Sequence, residues 1–137
     1  MRSGMCAALV LVVGAVFANE PAKPEARVLN LKDVHVVAQS DGGEPKPSEI
    51  KSAKELADSL LFADAARRDA IKKQVDFEKE KIVVFAWSGS GQDKLTATMS
   101  KDGKTAEFTL KTGLTDDLRR HALVFAVPKD AKVEVKK

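Results

Sequence analysis

Residue types able to do chemistry gather in two stretches of this chain, Ser88-Gly89-Ser90-Gly91-Gln92-Asp93 and Asp116-Asp117-Leu118-Arg119-Arg120-His121. Nucleophilic catalysis needs a hydroxyl within hydrogen-bond reach of a base, and a carboxylate to orient that base. Ser90, His121 and either Asp93 or Asp116 supply those types if folding brings them together. The local spacing does not support a known motif. A nucleophile elbow has glycine two positions before and after its serine, and around Ser90 those positions are Ser88 and Gln92. A phosphate loop has Gly-Lys and a hydroxyl residue entering a helix, whereas Asp93-Lys94-Leu95 enters an alternating, strand-like run. Glycine and serine are also ordinary turn residues, so a plain hairpin connection accounts for the first stretch. His35 and His121 are the two histidines of the chain, and neither has a ligand at metal-binding spacing. The sequence therefore predicts no metal site and no cofactor.

Binding is the other use of these residues. Arginine presents a planar fork of donors suited to carboxylates, and Arg119 and Arg120 stand together, although ion pairing with Asp116 and Asp117 is the plainer account. Trp87 is the only tryptophan in a chain with no tyrosine. It is either an anchor for a partner or a plug in the core. The predicted contact surface is Trp87, Gln92, Asp93, Arg119, Arg120 and His121.

The elements that must position these residues follow from periodicity. Residues 28–38 read as extended, and 39–47 as irregular chain rich in Gly and Pro. Ser52-Ala53-Lys54-Glu55 is a capping box, and Leu56, Ala57, Leu60 and Leu61 continue it as an apolar helical stripe. A second helix is predicted over 64–74, with Arg67, Arg68, Lys72 and Lys73 on its wet face. Residues 82–87 are apolar on both faces, the mark of a central strand covered on both sides. The alternating runs 95–99 and 106–110 flank Asp102-Gly103, which predicts a hairpin with a two-residue turn. A polar connection with one helical turn is predicted over 113–121. A two-faced strand at 122–127 and a short edge strand at 133–135 complete the chain. Helices grouped ahead of meandering strands predict an α+β fold: a mostly antiparallel sheet of five to six strands with two helices on one face.

Composition narrows the setting. Arg2 followed by an apolar run from Cys6 to Phe17, and small residues around Ala18, have the form of an export signal. On this reading 1–18 is a signal peptide cleaved near Ala18, 19–27 a proline-bearing leash and 28–137 a single domain in the periplasm or outside the cell. Cleavage would remove the chain's one cysteine, leaving no disulfide or thiolate site. The remainder keeps all but one of the 23 Lys and Arg beside 20 Asp and Glu, with the signs interspersed, which predicts no nucleic-acid footprint. It contains no further run of membrane-spanning length.

The run from Val75-Asp76-Phe77 through the apolar strand to Trp87-Ser88-Gly89, preceded by the capped Ile50-Lys51-Ser52-x-x-Glu55-Leu56, resembles a family of small exported bacterial domains. It is similar to the C-terminal domain of the protease-complex subunit PrcB over roughly 50–127. That family continues its loop with Pro, two Gly and Tyr, where this chain has Ser90-Gly91-Gln92-Asp93. The resemblance implies a non-catalytic α+β module that supports or binds other exported or envelope proteins, and it carries over no catalytic residue. The rival expectation is a small exported hydrolase or transferase using Ser90 or His121 with a nearby carboxylate.

Overall fold

The computed structural model describes residues 25–31 and 45–137. Its elements are β1 (Arg27–Val28), β2 (Lys46–Ile50), α1 (Ala53–Asp58), α2 (Ala65–Gln74), β3 (Glu80–Ser90), β4 (Lys94–Met99), β5 (Thr105–Lys111), β6 (Leu118–Pro128) and β7 (Lys132–Lys136). The fold is α+β, but the strands form two sheets rather than the single sheet the sequence predicts. One has the order β1-β6-β3-β2 and is antiparallel throughout, and the other has the order β4-β5-β7. β5 and β7 pair in parallel, the one departure from antiparallel pairing.

The two-faced run at the start of β3 decides the layering. Successive side chains of a strand point to opposite faces. Ile82 and Val84 accordingly join Val124 and Ala126 of β6 beneath Leu56, Phe62, Ile71 and Val75 of the helical region. Val83, Phe85 and Trp87 point the other way, with Phe125 and Val127, against Leu95, Ala106 and Phe108 of the second sheet. The β1-β6-β3-β2 sheet is thus a middle layer with both helices on one face, as predicted, and the small sheet on the other. Phe85, Phe108 and Phe125 knit the second interface together. Their ring centroids lie 4.7 Å (Phe85 to Phe108), 5.0 Å (Phe108 to Phe125) and 5.9 Å (Phe85 to Phe125) apart in tilted and edge-on geometries.

Local rules account for most boundaries. Ser52 Oγ accepts from Glu55 N at 3.1 Å and Glu55 Oε2 accepts from Lys51 N at 2.8 Å, a capping box displaced by one residue on its return arm. The helix it starts is shorter than the apolar stripe suggests. Ser59 turns extended, Leu60 is left 86% exposed, and Phe62 rather than Leu60 fills the core. α2 begins at the cap Asp64, whose Oδ1 accepts from Ala66 N at 2.9 Å. Lys72 and Lys73 are exposed on its last turn, but Arg68 is half-buried and donates to the Ala57 carbonyl at 2.9 Å, tying α2 to α1.

Part of the segment expected to be irregular is a strand. β2 includes Lys46 and Pro47, and proline is tolerated there because β2 is the edge of its sheet. Its Glu49 meets the buried Lys81 ammonium at 2.9 Å, supplying the partner a buried charge requires. At the other edge Arg27 of β1 pairs with Glu80, so Arg27 and the partly buried Ala26, assigned to the leash by sequence, belong to the folded unit. Residues 19–24 of the leash, the leader and residues 32–44 lie outside the described residues. The β4–β5 hairpin forms as predicted, with a different turn. Ser100 N bonds to Thr105 O at 2.9 Å, Gly103 N to Ser100 O at 2.9 Å, and Gly103 takes φ 69°, a wider loop than the two-residue form.

Candidate functional site

β3 and β6 run side by side to a common end, where Trp87 pairs with His121, Ser88 with Arg120, Gly89 with Arg119 and Ser90 with Leu118. The β3–β4 turn and the β5–β6 connection both lie at this end, forming a tip. Two expectations change here. Residues 88–90 belong to β3 rather than to a loop, and 118–121 belong to β6, with no helical turn before them. Long pairing between the two strands overrides the turn-forming tendency of Ser and Gly.

Asp93 is the hub of the tip. Its Oδ2 accepts from Trp87 Nε1 at 3.1 Å and its Oδ1 from Gly113 N at 2.8 Å, while its own N–H bonds to Ser90 O at 3.0 Å. One carboxylate therefore joins the end of β3, the β3–β4 turn and the β5–β6 connection. A side chain at Gly89 would collide with Asp93 Oδ2, so glycine is needed there for space.

Trp87 is 2% exposed, on the face of β3 opposite the helices. It is a core residue beneath the tip, the second of the two readings its sequence allows, and so is not an exposed member of the predicted contact surface. His121 stacks on it across the strand pair, with ring centroids 4.8 Å apart and planes 15° from parallel. His121 Nε2 lies 2.7 Å from Ser90 O. A carbonyl only accepts, so Nε2 carries the proton in this geometry.

The arrangement needed for nucleophilic catalysis is not formed. His121 addresses the carbonyl of Ser90, whereas Ser90 Oγ bonds to Thr115 Oγ1 and accepts from Gln92 N at 3.2 Å and Thr115 N at 3.3 Å. Asp93 is occupied by Trp87 and Gly113, and Asp116 is exposed with no partner among the described residues. Asp117 closes the other side of the tip. Its Oδ1 accepts from Gly91 N at 3.2 Å and its Oδ2 pairs with Arg119 Nε at 2.7 Å. The Thr115 hydroxyl, the Gly91 N–H and Arg119, in that order, hold the Asp117 carboxyl below its ordinary value of 3.8.

The residues brought together are thus Trp87, Asp93 and His121, with Ser90 and Thr115, whose hydrogen bonds brace the tip, while Arg119 pairs with Asp117 beside them. Gln92, Arg119 and Arg120 are exposed above them. Two residues missed from the sequence complete the outer surface: Leu114 is 97% and Leu118 80% exposed. Isolated leucines in the polar stretch 113–121 were their available signal. Among the described residues no group of three or more His, Cys, Asp or Glu is placed to hold a metal, and no helix is long and apolar enough to cross a membrane. Comparison of the chain with protein-family models, curated proteins and solved structures finds no match.

Proposed function

We propose that this chain is an exported, non-catalytic accessory domain that contacts another exported or envelope protein through its tip. Export rests on the leader pattern of 1–18 and cleavage near Ala18. The contact surface is Gln92, Arg119 and Arg120 with Leu114 and Leu118. Trp87, Asp93 and His121 form the support that fixes it. One observation carries this reading: the tip's reactive side chains are consumed in bracing the loops, while two leucines and Arg120 stand exposed around them. A preformed surface of that kind lowers the ordering cost of association. The resemblance to exported bacterial accessory domains supports the same reading, and the hydrolase reading lacks a base on Ser90 Oγ.

A photo-crosslinking residue at Gln92, in the tagged chain expressed in its own cell envelope, tests the proposal. The expected result is a discrete adduct with an exported protein that disappears when Leu118→Ser and Arg120→Ser are added. Adducts that persist in that double variant, or that form equally from Lys72 on α2, would refute a tip-directed contact.

A further inference from the structure

The lysines on the outward face of the β4-β5-β7 sheet differ in whether a carboxylate accompanies them. On β7 two lysines have carboxylates: Lys136 Nζ lies 2.8 Å from Glu107 and Lys132 Nζ 3.1 Å from Glu134. At the end of the sheet nearest the tip, Lys94 of β4 and Lys111 of β5 are directly opposite each other in register. Both are exposed and neither has a carboxylate partner among the described residues. Like charges directly opposite in a sheet are destabilising, so this pair is a cost the fold carries without internal compensation.

That cationic end opens onto the tip. A cleft of about 600 Å³ is lined by Gln92, Lys94, Lys111, Thr112 and the almost fully exposed Leu114. Of the acids in the adjoining loops, Asp93 is held by Trp87 and Gly113 and Asp117 by Arg119, while Asp116 is exposed and forms no ion pair with either lysine.

We propose that this cleft binds an extended acidic segment of a partner protein, its carboxylates meeting Lys94 and Lys111 and an adjacent apolar side chain resting on Leu114. The inference deepens the accessory reading and rests on it for the partner being a protein. Charge complementarity supplies orientation and encounter rate, and the leucine supplies the desolvated contact that a bare charge pair lacks. A uniform polyanion would use the lysines without needing Leu114.

The test is fluorescence anisotropy of the purified chain with a labelled decapeptide carrying Glu-Leu-Glu segments, at low and moderate salt. Exposed charge contacts are each worth a fraction of a kcal/mol, so Lys94→Gln with Lys111→Gln should weaken binding about tenfold. Leu114→Ser should weaken it severalfold, and salt should weaken it in the parent but much less in the double variant. Lys132→Gln, which removes the same charge at the far end of the sheet, opposite Thr105, should leave it unchanged. The thermal midpoint of the double lysine variant should equal or exceed that of the parent, which separates lost binding from lost folding.

No binding at low salt overturns the inference, as does an equal loss with Lys132→Gln. Heparin or anionic lipid vesicles binding as tightly as the peptide, with no effect of Leu114→Ser, also overturns it, leaving a diffuse polyanion patch. An envelope adduct at Gln92 that survives Lys94→Gln with Lys111→Gln refutes the acidic-segment inference alone. Peptide binding as expected, with no tip-dependent adduct in the envelope, refutes the accessory reading alone.

Discussion

Asp93 fastens the tip by accepting from two donors that belong to different parts of the chain, the buried indole of Trp87 and the backbone of Gly113. Removing its carboxylate leaves an indole N–H without an acceptor, which costs about 1–3 kcal/mol. Gly89 exists in relation to the same group, because a side chain there would occupy the place of Asp93 Oδ2. Gly89→Ala and Asp93→Ala should therefore each lower stability, and the two should not add. With Asp93 truncated, the methyl at position 89 has room, so the double variant should be more stable than the sum of the singles by about 0.5–3 kcal/mol. Urea unfolding of the four proteins measures this coupling, and strict additivity would show that Gly89 is not there to accommodate Asp93. At this scale the sequence pointed to residues that the fold brings into one neighbourhood and left the depth of Trp87 open. Trp87 and His121 face inward because β3 continues past the tryptophan to Ser90 and β6 begins at Leu118, which fixes their strand faces. The length of that pairing depends on contacts between residues about 30 positions apart, outside any local window.

Among the elements, the β4–β5 hairpin offers the clearest link between a turn and its charge state. Asp102 accepts from the Ser100 hydroxyl and, at 3.0 Å, from Lys104 N, and these bonds, the Ser100 one foremost, hold its carboxyl below the ordinary value of 3.8. A carboxylate whose pKa is lower in the folded than in the unfolded chain stabilises the fold above the unfolded value, and that stabilisation is lost as pH falls through the folded one. Asp102→Asn should thus lower the thermal midpoint at pH 7, and the gap to the parent should close as the pH is taken below 3.8. A gap that stays constant with pH would assign the effect to geometry rather than ionisation. This hairpin and the capped α1 were legible because their determinants are local: an Asp-Gly pair between alternating runs, and Ser52 three residues ahead of Glu55. β2 was hidden because Pro45-Lys46-Pro47 has the composition of a turn, and only its position at a sheet edge makes proline acceptable. The division into two sheets was not legible either. Alternation reveals that a strand has a buried face without revealing which sheet it faces, and the parallel β5–β7 pairing skips across β6.

At the scale of the whole molecule, the middle sheet is shared by two cores that do not otherwise meet. Val84 belongs to the core under the helices and Phe85, its neighbour in β3, to the core against the second sheet. Damage on either face of β3 should therefore propagate to both layers, since the strand cannot lose order on one side and keep it on the other. Phe85→Ala should cost about 3–5 kcal/mol, and Val84→Ala somewhat less because it removes fewer buried atoms. A domain of this size has only about 5–15 kcal/mol in total, so either change is a large fraction of the whole. Trp87, the chain's only tryptophan, reports on the second core, while far-UV circular dichroism at the helical minimum weighs α1 and α2. In both variants the two signals should follow one denaturation curve with a common midpoint, as a two-state transition requires. If Phe85→Ala shifts the fluorescence transition to lower denaturant and leaves the helical one in place, the layers unfold separately. The rigid support assigned to the tip would then be confined to the small sheet and the ends of β3 and β6.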